Sequence, residues 1–277
     1  GDALTTGNRN TVMGESALST DTLGDRAVAI GNAALNAQNF TTTTDNYNVA
    51  IGYAAGISVT TGINNTLIGG LAGDALTDAD DNLAVGYAAL GGNLLGSRNT
   101  ALGAYAFEAL NPATAAQMYN TAVGYAAGNV ITTGANNTFV GALAGDATDD
   151  GAECVAVGYS ALSANCGSSN TAVGSSAGLV VTGANNTLIG NASGLGLTSG
   201  GNNLILGKDA GRTGAPGGNQ TTGSDSICMG DGSIGNAYIQ VDWTISSDER
   251  DKTDFTALDL GLDFVKALAP VTYKWDK

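Results

Sequence analysis

The chain has 277 residues, 42 of them Gly, with 6% aromatic residues and a formal net charge of −15. So much Gly with so few large side chains cannot fill one broad globular core, while 43% hydrophobic residues and only three Pro exclude disorder and collagen-like winding. Only Arg9, Arg26 and Arg98 are basic before Lys208, so a nucleic-acid partner is excluded for lack of groups to neutralise phosphates.

Along the chain a five-residue unit ending in Gly recurs at Gly14, Gly31, Gly52, Gly69, Gly86, Gly103, Gly124, Gly141, Gly158, Gly174, Gly190, Gly207 and Gly230. Most anchors follow one another at about 17 residues, with longer steps from Gly31 to Gly52, from Gly103 to Gly124 and from Gly207 to Gly230. Thirteen rungs of one stacked architecture follow. Gly52 to Gly124, Gly69 to Gly141 and Gly86 to Gly158 share one separation, so four rungs form a duplicated block.

Before each anchor Gly stands a large apolar residue (Ile51, Ile68, Val85, Val123), two positions earlier Thr, Val, Leu or Ile, and between them mostly Ala (Ala50, Ala101, Ala122). Period-two alternation predicts a short strand ending at each Gly. The bulky pair is expected to build the interior stack and the Ala face to meet another chain. Asn opens most strands (Asn48, Asn65, Asn82, Asn99, Asn120, Asn137, Asn170, Asn186, Asn203), where stacked amides can hydrogen-bond along the axis. The fold expected for residues 1–234 is an all-β, elongated parallel β-roll or β-solenoid; three such thin rods around one axis would bury their faces, which favours a homotrimer.

Side-chain candidates within the repeat are few. Acidic turns at Asp78, Asp80 and Asp81, and at the matching place one block later at Asp149, Asp150 and Glu153, read as solvated turns without the order of a Ca²⁺ loop. Tyr53, Tyr87, Tyr125 and Tyr159 share one repeat position and are expected to pack at rung corners, with sugar stacking as the alternative. Cys154, Cys166 and Cys228 lack metal-ligand spacing, and Cys154 and Cys228 read as buried, inert thiols in strand positions. No cofactor or metal is expected, and no apolar run approaches the roughly 18 residues of a membrane span. Beginning at Gly1, the chain reads as a segment of a longer gene product.

The strings NTAVGYAAG, NNTLIGGLAG and NNTFVGALAG resemble the head repeats of trimeric autotransporter adhesins and the similar repeats of phage tail fibres, although the adhesin repeat is shorter. That resemblance implies a trimeric parallel β-roll over about residues 8–234. From Gly235 the pattern breaks. Residues 235–246 read as a connecting strand, and 247–277 as a short α+β segment with a helix over Leu258–Leu268 stopped by Pro270. Ser247-Asp248-Glu249-Arg250-Asp251-Lys252, then Gly261-Leu262-Asp263-Phe264-Val265 and Pro270 to Trp275, resemble the start of the intramolecular chaperone of phage tail fibres and tailspikes.

The chaperone resemblance implies assisted trimerisation and a single self-cleavage between Ser246 and Ser247, with Ser247 as nucleophile and Lys252 as general base. From residue types alone, Ser247 could equally cap the following segment and Lys252 be a solvated charge. The function expected is thus a structural tail-fibre or tailspike segment of a phage virion, made in the host cytoplasm. Its partners would be other tail proteins and a host surface receptor, glycan or protein. The alternatives are a bacterial trimeric surface adhesin and a polysaccharide-degrading tailspike.

Overall fold

A computed structural model describes residues 1–236 and, among them, contains strands and turns but no helix. In chain order the strands are β1 (Thr11–Met13), β2 (Gly24–Asp25), β3 (Val28–Ile30), β4 (Thr44–Asp45), β5 (Val49–Ile51), β6 (Thr66–Ile68), β7 (Leu83–Val85), β8 (Gly96–Ser97) and β9 (Thr100–Leu102). They continue with β10 (Ala116–Gln117), β11 (Thr121–Val123), β12 (Thr138–Val140), β13 (Val155–Val157), β14 (Thr171–Val173), β15 (Thr187–Ile189), β16 (Leu204–Leu206) and β17 (Ile227–Met229). The thirteen three-residue strands form one parallel sheet in sequence order, residue opposite equivalent residue, as Thr121, Ala122 and Val123 face Thr138, Phe139 and Val140. This is the expected parallel β-solenoid. Its twelve steps rise about 58 Å at the usual strand spacing.

Two columns fix the register. Each anchor from Gly14 to Gly190 has φ between +131° and +142°, and a Cβ there would run into the backbone of the next anchor; at Gly124 it would lie 2.6 Å from the Gly141 carbonyl. Only Gly meets both demands. Beside it runs the Asn column, fully buried or nearly so. Most side-chain oxygens accept from the backbone N–H of the equivalent residue one rung on, as Asn48 does from Asn65 at 2.9 Å and Asn120 from Asn137 at 2.8 Å. Most Nδ2 groups close their own turn, as Asn120 donates to the Gly134 carbonyl at 2.8 Å. The predicted amide ladder is therefore largely one of side chain to backbone.

The orientation of the strands reverses the expectation. The central residues, including Ala50, Leu67, Ala101, Ala122 and Phe139, are fully buried inside the coil, whereas Met13, Ile51, Leu102, Val140, Val173 and Ile189 lie on the outer face and are exposed. Alternation identifies two faces without saying which is inside. The coil is narrow, and its opposite walls already supply Leu18, Leu35, Val59, Leu76, Leu90 and Ile131, all fully buried, so the strand can add only a small residue in most rungs.

The same volume argument accounts for the four-rung block. The fourth residue after each anchor from Gly14 to Gly207 turns left-handed, whether it is Gly56, Gly73, Gly128 and Gly145 or Leu35, Leu90, Phe107 and Leu162. From the second rung on, rungs with Leu or Phe there have Ala in the strand. Where Gly stands there in two successive rungs, the second strand carries a large residue that fills both: Leu67 beneath Gly56 and Gly73, Phe139 beneath Gly128 and Gly145. One side chain thus serves two rungs.

The longer steps after Gly31 and Gly103 each build an extra corner. β2 pairs with β4 in the first and β8 pairs with β10 in the second, one block later. At each corner an Arg lies over a Tyr, Arg26 on Tyr47 at 5.4 Å and Arg98 on Tyr119 at 5.5 Å. Arg26 also holds Asp45 at 2.6 Å; in the second corner Gln117 takes that place and accepts from Arg98 at 2.7 Å.

Candidate functional site

Three surfaces bear on function. The first is the outer face of the main sheet, two parallel rows of Thr, Val, Leu, Ile and Met, one from each end of every strand. Met13, Ile227 and Met229 are more than half exposed, and Leu102 and Ile189 are 44% exposed. The row at the strand ends is wholly apolar and the row at the strand starts mixes Thr with Val, Leu and Ile, so the face is an apolar stripe edged with hydroxyls.

The second surface is aromatic. The residue after the anchor Gly is pushed outward by the turn, and Tyr53, Tyr87, Tyr125 and Tyr159 are 50–64% exposed rather than packed at corners. In the rung of Gly103 the order is Ala104-Tyr105, which shifts that ring between its neighbours. Tyr105 meets Tyr87 edge to face at 5.4 Å and Tyr125 at 5.9 Å, so three consecutive rungs share one aromatic strip.

The third surface, beside this strip, is a cleft of about 410 Å³ lined by Leu71, Asp74, Tyr87, Gly91, Gly92, Tyr105 and Glu108 among others. Gly91 and Gly92 open it, for a Cβ at Gly91 would lie 3.2 Å from Asp74 Oδ1. In the second block Ser163 and Ala164 occupy the matching positions. Glu108 accepts from Asn129 Nδ2 at 2.8 Å. Burial pushes the Asp74 carboxyl above its ordinary pKa, and the charge of Glu108 adds to this, against backbone N–H groups that lower it.

A carboxyl with a raised folded pKa holds its proton more tightly in the folded state. It therefore lowers stability as pH rises from its unfolded value, about 3.9, through the folded one. Asp74→Asn is expected to raise Tm slightly at pH 7, a gain that vanishes below pH about 3.9. Thermal scans at both pH values check this, and a lower Tm at pH 7 would contradict it.

The acidic turns are spent on local bonds. Asp80 Oδ1 accepts from the Ile63 N–H at 2.8 Å, Asp81 binds Asn64 and Arg98, and Asp149 accepts from the Thr132 hydroxyl at 2.6 Å. Among the described residues no three potential ligands converge on a metal position.

Ser246, Ser247 and Lys252, the connecting strand and the helix over Leu258–Leu268 lie outside the described residues. The cysteines are buried, as expected, but Cys154 stands in the Asn column rather than in a strand. The proximity of Cys154 and Cys166, 3.9 Å between sulfurs, carries no signal in their sequence spacing.

No curated protein and no solved structure matches the chain. Residues 247–277, the stretch that carries the Ser-Asp-Glu-Arg-Asp-Lys motif, match the family described as the chaperone of endosialidase.

Proposed function

We propose that this chain is a trimeric tail-fibre or tailspike segment of a phage virion. In this reading the solenoid serves as a shaft contributing to host attachment, and the C-terminal module assists trimerisation and is then released by cleavage before Ser247. The observation that carries the reading is the order of parts: a β-solenoid with an unpartnered apolar face, followed directly by a chaperone-of-endosialidase match. A chaperone of this kind suits a rod whose outer stripe must find two equivalent stripes. The closed arrangement places the bulky strand rows, not the Ala rows, at the shared axis, and leaves the aromatic strip and its cleft to meet a host glycan or protein.

Self-cleavage assigns Ser247 as the nucleophile on the Ser246 carbonyl and Lys252 as the base that takes its proton. The full gene product is expected to run as two fragments on a denaturing gel, while Ser247→Ala and Lys252→Ala stay intact. Light scattering should give three times the 27.3 kDa chain mass per segment. An uncut wild type sinks the cleavage step, and a monomer sinks the trimer. The Asp74 and Glu108 carboxylates beside the Tyr strip give the polysaccharide-degrading alternative a place to act. Release of new reducing ends from host glycan would favour it over a binding role.

A further inference from the structure

Between Asn10 and Asn203 the Asn column is broken at Ala27 and at Cys154, and only the second break brings in a reactive side chain. At the position held by Asn137 in the rung before and Asn170 in the rung after stands Cys154, which still donates its N–H to Asn137 Oδ1 at 2.8 Å. The next backbone N–H, that of Asn170, points at a sulfur instead of an amide oxygen. Across the same turn, Asn165 is exposed and Cys166 is buried in its stead, in the interior space that Ile131, Val181 and Leu197 fill in nearby rungs. The two departures from the repeat meet. Cys154 and Cys166 are 0% and 1% exposed, with their sulfurs 3.9 Å apart. Cys228 has no such neighbour among the described residues; its thiol points at the Pro216 carbonyl at 3.2 Å.

We propose that Cys154 and Cys166 form a disulfide that closes one turn of the solenoid into a covalent ring, made when the protein meets a hydroperoxide. Sulfurs in van der Waals contact need only side-chain rotation to reach bonding distance, about 2.05 Å. Cys166 is the attacking group. The Cys154 thiol, the Thr148 hydroxyl at 3.4 Å and Asn170 all stabilise its thiolate, which lowers its pKa, while Cys154 is held protonated. A hydroperoxide is small enough to enter where a bulky disulfide reagent is not.

The thiolate of Cys166 attacks one peroxide oxygen, the O–O bond breaks, and hydroxide leaves to become water, giving a sulfenic acid. The Cys154 sulfur then attacks the Cys166 sulfur, the S–O bond breaks, and the oxygen departs as water with the Cys154 proton. Two thiols lose two electrons, and one peroxide becomes two waters. The bond closes, at this level, the turn that an Asn Nδ2 closes in most other rungs.

The test uses the full chain, reduced, then exposed to hydrogen peroxide, alkylated and digested for mass spectrometry. The expected product is a peptide cross-linked through Cys154 and Cys166 with Cys228 alkylated, and a Tm higher by about 5 °C that dithiothreitol reverses. Cys154→Asn, which restores the residue of the column and so keeps the fold, should leave Cys166 as a sulfenic or sulfinic acid with no gain in Tm. Free, alkylatable thiols at both 154 and 166 after peroxide treatment would overturn the proposal, as would a cross-link through Cys228 or between chains.

Discussion

Gly124→Ala is expected to lower the Tm of the full chain by on the order of 10 °C. Two penalties act together. At φ +137° an L side chain is strained by roughly 1–3 kcal/mol. The new Cβ would also sit 2.6 Å from both the carbonyl carbon and oxygen of Gly141, backbone atoms held on either side by sheet hydrogen bonds. Neither can yield without opening the step between β11 and β12, so about 4 kcal/mol in total is reasonable, at roughly 2–4 °C per kcal/mol for a unit of this size. Gly70→Ala is the control. Gly70 is outside the positive-φ region and its Cβ would find only the Tyr87 ring, at 3.6 Å, so it should be neutral or slightly stabilising. Equal losses for both variants would show that the anchor column is not special.

Phe139→Ala is expected to cost about 3–5 kcal/mol, because this ring fills two rungs at once. It lies against Phe107, with centroids 6.2 Å apart, and spans the space left by Gly128 and Gly145. No neighbour can collapse into the gap: Ala122 and Ala156 are too short, and the two Gly have no side chain to bring. The first block makes the same layer with Leu35 and Leu67 in place of Phe107 and Phe139. Phe139→Leu should therefore cost about 1 kcal/mol, and less when combined with Phe107→Leu than alone. Chemical denaturation at fixed protein concentration checks both, since a self-associating chain gains stability with concentration. An Ala variant as stable as the Leu variant would mean that the layer is not packed as described.

How much of this the sequence discloses depends on the kind of constraint. The strands, the parallel order and the Gly column are readable because backbone periodicity is local and repeats thirteen times. The Asn column is readable for the same reason, although its bonds run chiefly to backbone rather than amide to amide. Which strand face is interior is not, because that depends on what the far wall contributes; Leu90 and Ile131 decide the matter for Ala84 and Ala122. The shifted ring of Tyr105 and the gap at Gly91 become a cleft only when three rungs are stacked. Ser247 and Lys252 rest on their motif and on the family match at 247–277.

A side chain shared between rungs also sets how such a rod can change length. A single rung with Ala in its strand and Gly four residues after its anchor, such as that of Gly52, has only Val59 of its own to fill it and borrows Leu67 from the rung after it. Deleting or inserting one rung would leave an orphaned void or a doubled ring, whereas moving a whole four-rung block at once keeps every partner. Adding a whole block is thus one way for the rod to grow without repacking, as the second block repeats the packing of the first with Phe107 and Phe139 in place of Leu35 and Leu67.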